Sequence, residues 1–259
     1  VITGRRLRSG IHHAGPFLVS VVLLAIVWEV VGRTADILTI PPLSAVLGAF
    51  VDMWVRGIIT APLLDSTLAL LTGLAISLFV GTLVGVGIGL SRLVQLSIGP
   101  FVKAGLSAPM IAFVPVFMML FGIGSTTRIA TVVAFSVFIV ATNAATAVRA
   151  ADPRQLEMAR SFGADRWQLF WQVRLPAGAS YFLAGTRFGV SRGIKGLING
   201  EVLIAVIGLG GLVKQYGTVF SMDQLYAVII LIILYAAIGV GLVTLIGRLL
   251  LRRSLVETN

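Results

Sequence analysis

Six apolar runs, near 16–32, 67–90, 101–121, 129–148, 180–205 and 225–247, leave this chain little choice of fold. A helix that crosses the hydrocarbon core needs about 20 mostly apolar residues, because its backbone N–H and C=O groups must pair within the segment. Each run is of that order. With 58% hydrophobic and 12% charged residues, the chain is not composed like a water-soluble domain. The expected class is an all-α membrane protein of six transmembrane helices. The first run follows basic residues as in a signal peptide, but Trp28 and Glu29 stand where a small-residue cleavage site would be needed, so it reads as a retained helix.

The basic residues orient the spans. Fourteen of them (Arg5, Arg6, Arg8, Arg92, Lys103, Arg149, Arg154, Arg160, Arg166, Arg174, Arg187, Arg248, Arg252 and Arg253) fall on one side, against Arg33, Arg56, Arg128 and Lys214 on the other. The positive-inside bias then places both termini in the cytoplasm. It also accounts for the net charge of +10 without nucleic acid, since basic residues that edge membrane segments suit an anionic leaflet. Residues 1–15 read as a cytoplasmic lead-in, 16–251 as the membrane domain and 252–259 as a cytoplasmic tail. There is no cysteine, and His12 and His13, with no third ligand, are a poor metal site; no metal is expected.

One long polar stretch, 152–176, interrupts the apolar pattern on the basic side. It reads DPRQLEMARSFGADRWQLFWQVRLP. Asp152 can cap a helix that begins at Pro153 and stops at Gly163, which can take the left-handed conformation that closes a helix. Asp165 and Gln168 repeat the start signal. The stretch is therefore a helical hairpin, with Trp167, Phe170 and Trp171 on one face of its second helix as an interfacial anchor and Glu157–Gly163 turned outward.

These residues carry a resemblance. Glu157, Ala159, Gly163, Val173, Leu175 and Pro176 match the Glu-Ala-Ala, three residues, Gly, nine residues, Ile-x-Leu-Pro loop of permease subunits of binding-protein-dependent ATP-binding-cassette (ABC) importers. Met158 stands for the first alanine and Val173 for the isoleucine. The resemblance implies a type I importer (MetI-like) bundle whose coupling helix docks on a separate ATPase subunit through Glu157, Met158, Ala159, Ser161, Phe162, Gly163, Ala164, Leu175 and Pro176. It further implies a homodimer with a second permease subunit, two cytoplasmic ATPases, an external substrate-binding protein and a bacterial inner-membrane location amid lipid. Three other stretches resemble the nitrate, sulfonate and taurine branch of these importers: the Ile40-Pro41-Pro42 lead-in, the proline-rich third run with Phe121-Gly122-Ile123-Gly124, and Gly208-Leu209-Gly210 after Glu201.

Several local expectations follow. Ser44 is placed to cap a short external helix containing Val46, Leu47, Phe50, Val51 and Trp54. Gly73, Gly81, Gly85 and Gly89 form a small-residue face for close helix packing, either within the subunit or at a dimer seam. Pro109 and Pro115 must bend or break the third span, as helices along a translocation path often are. Met110, Met118 and Met119 read as core filling. In the fifth span Arg192, Lys195 and Asn199 share one face, which either lines an anion path or pairs with a carboxylate such as Glu201.

No G-x-x-x-x-G-K-[ST] phosphate loop occurs, nor a zincin or G-x-S-x-G motif, so the chain is expected to bind no cofactor and to be a non-catalytic transport subunit. ATP and Mg would sit on the partner ATPase. The expected function is the path for a small anion such as a sulfonate, taurine or nitrate. An autonomous ion-coupled carrier or channel for small anions is the alternative, although the halves show no internal inverted repeat.

Overall fold

A computed structural model describes residues 5–35, 37, 39–204 and 208–256, with side chains for 16, 18–35, 37, 39–204 and 208–249. Of the expected cytoplasmic ends, 1–15 and 252–259, residues 1–4 and 257–259 lie outside the described residues, as do the side chains of the rest, His12 and His13 among them. The described residues form helices joined by short turns, with no strand. In order these are α1 (Arg5–Thr34), α2 (Leu43–Val55), α3 (Thr60–Leu90), α4 (Arg92–Ser107), a 3-10 turn (Met110–Phe113), α5 (Val114–Phe121), α6 (Ser125–Arg149), α7 (Pro153–Ser161), α8 (Arg166–Gln168), a π-helical segment (Leu169–Arg174), α9 (Leu175–Ile204), α10 (Gly208–Thr218) and α11 (Met222–Val256).

By length and apolar composition, α3, α6 and α11 can each cross a membrane, and two bent helix pairs, α4 with α5 and α8–α9 with α10, raise the number to as many as five. The first expected run, 16–32, lies on α1. The expected third span is not one helix. α4 begins nine residues earlier than expected, ends at Ser107, and the chain turns by 96° into the segment Met110–Phe121. Pro109 stands at the break, and Pro115 occupies the first turn of α5, where its missing N–H leaves no internal bond unmade. Met119 is 87% exposed on α5 and fills no core, a correction to the expected role of that residue.

The chain divides into two compact units, Val1–Thr60 with Val213–Ile230, and Ala61–Leu212 with Leu231–Asn259. In the first, the Glu29 carboxylate accepts from the Ser44 amide (2.9 Å), the Ser44 hydroxyl (2.9 Å) and Arg33 Nε (2.5 Å). Ser44 is thus not the cap that the sequence pattern implies. Pro42 is the cap residue and offers no side-chain acceptor, so the carboxylate from α1 takes the first-turn amide of α2. Trp28 donates to the Pro41 carbonyl (3.1 Å) and meets the Tyr226 ring edge-on. Val46 and Met53 are fully buried on α2 while Leu47, Val51, Trp54 and Val55 are exposed, as a helix lying on a lipid surface requires.

In the second unit α6 is held between two small-residue faces. A Cβ on Gly73, Gly81, Gly85 or Gly89 of α3 would meet Val132, Val140, Ala141 with Ala144, or Val148, so α3 and α6 run parallel. On α9, Gly178, Gly189 and Gly200 face Ala147, Val140 and Thr131 in the opposite sense, so α9 runs antiparallel to α6. The α3 glycines therefore pack within the subunit. In lipid, close backbone approach gains dispersion energy that water would otherwise supply as hydrophobic burial. Ala69, Leu70, Leu74, Val132, Val190, Ile194 and Leu197 form the buried cluster beside this seam.

Candidate functional site

The polar hairpin forms by local turn chemistry. Asp152 Oδ1 accepts from the Arg154 amide (2.8 Å), with Pro153 in the first turn. α7 closes in a Schellman arrangement: Gly163 has φ +85°, its amide donates to Arg160 O (2.9 Å), and the Ala164 amide donates to Ala159 O (3.0 Å). Asp165 and Gln168 exchange both bonds of a capping box, at 2.7 and 2.9 Å. Trp167, Phe170 and Trp171 then form an edge-to-face aromatic group. Two arginines tie the base of the hairpin to the bundle: Arg149 donates to Ile88 O at the end of α3 (2.5 Å), and Arg174 to Val148 O at the end of α6 (2.9 Å).

No side chain of α7 is buried. Glu157, Met158, Ser161, Phe162 and Gly163 are exposed, and Met158 (59%) and Phe162 (86%) form an apolar pair four residues apart on an otherwise polar helix. Ala159 and Ala164 are half-buried. Leu175 and Pro176 open α9. The second helix continues from α8 through the π-helical segment into α9, and Pro176 follows that segment, where its missing donor is tolerated.

On α9 the structure separates residues that the sequence pattern puts together. Arg192 and Lys195 are exposed and Asn199 is half-buried. Glu201 is fully buried and pairs with neither cation. Its Oε1 accepts from Ser66 Oγ (2.7 Å) and lies 3.4 Å from Arg128 Nη1, while Oε2 accepts from the Gly210 amide (3.0 Å). The Leu209 amide donates to Ser66 Oγ (3.0 Å). Carboxylate and hydroxyl together satisfy two first-turn amides of α10, near the positive end of its dipole. Gly208 (φ +88°) leaves room for that carboxylate, which a Cβ there would strike, and a Cβ on Gly210 would meet Glu201 Cβ and the α9 backbone at Ile198 and Val202. Arg128 was not singled out from sequence; its signal was a cation near the start of a span at the same outer level as Glu201.

The chain matches the model of the binding-protein-dependent transport system inner membrane component family over residues 73–255. It belongs to that family. This permease is 31% identical to the taurine transport system permease protein of Escherichia coli (strain K12) over 221 residues, which cover 83% of this chain and 80% of that one. It is 23% identical to a putative aliphatic sulfonates transport permease protein of Bacillus subtilis (strain 168), over 91% and 86% of the two chains. The MetNI methionine ABC transporter in an inward-facing crystal form shares its fold, with a TM-score of 0.59, 20% identity and coverage of 78% of this chain and 96% of that one. The permease is thus an inner-membrane, multi-pass transport subunit of an ABC importer with the MetI-like fold, and the family match spans both the hairpin and α9.

Proposed function

We propose that this permease couples to a separate ATPase through Glu157–Gly163 and forms the path for a small anion. The exposed Met158–Phe162 pair, on a helix whose base is hydrogen-bonded to the ends of α3 and α6, is the observation that carries the coupling reading. A force on α7 reaches both helices through Arg149 and Arg174 without passing through a flexible linker. ATP and Mg belong to two ATPase subunits, the chain itself performs no hydrolysis, and a second copy and an external binding protein complete the importer. Both termini face the cytoplasm with the hairpin.

Purified permease reconstituted with its ATPase tests this. Glu157→Lys and Phe162→Ala should each reduce ATPase binding about tenfold or more, a loss of about 1.4 kcal/mol, while leaving membrane insertion and thermal midpoint unchanged. Full binding and transport in both variants would refute the docking role, and uptake by liposomes lacking the ATPase would favour an autonomous carrier.

The taurine and sulfonate relatives and the exposed Arg192 and Lys195 support an anionic solute. Pro109 and Pro115, at the bend of the third span, and Asn199 belong to the proposed path with them. Neutralising both cations as Arg192→Gln and Lys195→Gln should lower uptake of a sulfonate about tenfold without changing the thermal midpoint, since neither side chain is buried. Unchanged uptake would remove these cations from the path.

A further inference from the structure

Between α4 and α6 lies a cavity of about 390 Å³ that none of the roles above uses. Its polar lining forms two facing stripes. Gln95 and Lys103 stand on α4 at a spacing of eight, and Thr142, Thr146 and Arg149 follow one another on α6 at spacings of four and three. Gly105 packs on Phe138, and Val102 clusters with Ala141 and Ala145, so the two helices run antiparallel. That register sets Lys103 level with Thr142, and Gln95 level with Arg149 at the end where the hairpin leaves the bundle.

The donors outnumber the acceptors. Both threonine hydroxyls donate back to their own helix, to Phe138 O and Thr142 O at 2.9 Å each. The Gln95 side-chain carbonyl accepts from Arg92 (3.4 Å), which leaves its NH₂ group free to donate into the cavity. Arg149 spends one nitrogen on Ile88 O and keeps the rest of its fork. No carboxylate lines the cavity, and among the described residues neither Lys103 nor Arg149 is in an ion pair. Lys103 and Arg149 are both exposed, and with no acidic side chain beside them their charges attract an anion into the space they line.

We propose that this cavity binds one tetrahedral oxyanion, a sulfonate or a phosphate, between Lys103 and Arg149 with the Gln95 amide as third donor. Apolar walls from Ile88, Leu96 and Val102 accommodate the organic part of the molecule. Two sources offer that chemistry: the phosphate of an anionic phospholipid, or a small sulfonate or phosphate from the cytoplasm. Because Arg149 also holds the end of α3 at the base of the hairpin, occupancy would be felt where the hairpin joins the bundle. The site itself does not depend on the coupling reading.

Binding to the full chain in nanodiscs decides it in two arms. In discs of mixed phosphatidylcholine and phosphatidylglycerol, native mass spectrometry counts the phosphatidylglycerol retained per chain. In phosphatidylcholine discs, the thermal midpoint is followed during titration with methanesulfonate and, separately, with inorganic phosphate. A lipid site predicts at least one phosphatidylglycerol more on the wild type than on Lys103→Gln. A soluble-anion site predicts stabilisation whose midpoint concentration rises about tenfold in Lys103→Gln. Lys103→Arg should retain the effect, and Gln95→Leu, which keeps both cations, should weaken it about threefold and serves as the test should Lys103→Gln fail to fold. Equal retention and equal titration curves in wild type and variants would overturn the proposal.

Discussion

Arg128→Met is expected to destabilise the permease by about 3–5 kcal/mol, the usual cost of leaving one member of a buried ion pair uncompensated. Glu201 is fully buried and Arg128 is 5% exposed, so neither charge can turn to water when the other is removed. Glu201→Met should cost a similar amount, because Arg128 would then be the stranded charge and the Gly210 amide would lose its acceptor. The double variant should lose less than either single one: an apolar pair of similar volume removes both desolvation penalties, and only the α10 amide and Ser66 remain short of partners, at about 1–3 kcal/mol. Thermal unfolding in detergent, analysed as a double-mutant cycle, measures this. Amide exchange at Leu209 and Gly210 should rise in Glu201→Met, since those donors hold the first turn of α10 to Ser66 and Glu201. Single variants within about 1 kcal/mol of wild type would show that the pair is not the clamp described above.

That cluster marks where the sequence stops being informative. The hairpin was legible because each of its signals acts over a few residues: Asp152 on Arg154, Gly163 on Arg160, Asp165 on Gln168. The break at Pro109 was legible as well, since a missing N–H has a local consequence, although the 96° turn was not, because it depends on what packs around it. Glu201 was visible as a carboxylate that Arg192 or Lys195 could pair with, but its partner Arg128 lies 73 residues away in sequence and only the antiparallel packing of α6 and α9 brings the two together. The same holds for Glu29, which takes the amide of a helix that begins fourteen residues later. The glycines of α3 advertised close packing without naming their partner. The π-helical segment Leu169–Arg174 before Pro176 was not legible either, since it has no simple sequence signature.

The α3–α6–α9 seam gives the second large effect. Gly85→Ala and Gly178→Ala each add one methyl, yet at Gly85 it would meet the Ala141 carbonyl oxygen and at Gly178 the backbone of Ala147. A flexible side chain could turn aside from such a contact, but a helix backbone must be pushed off as a body, which breaks dispersion contacts along its length. Each substitution should therefore cost at least the about 1–3 kcal/mol of an overpacked core, despite alanine's better helix propensity. Gly178 should also disturb coupling, because it sits just past the π-helical segment, beside the end of α6 that Arg174 caps. Gly241→Ala on α11 is the control: nothing lies within 4 Å of its added methyl, so propensity alone acts and the change should be neutral or stabilising by up to about 1 kcal/mol. Thermal midpoints of the three variants in one detergent decide the matter. If all three shift alike, close backbone contact is not what holds α6 between its neighbours, and side-chain interlocking such as Ser136 donating to Gly189 O at 2.9 Å must carry the seam instead.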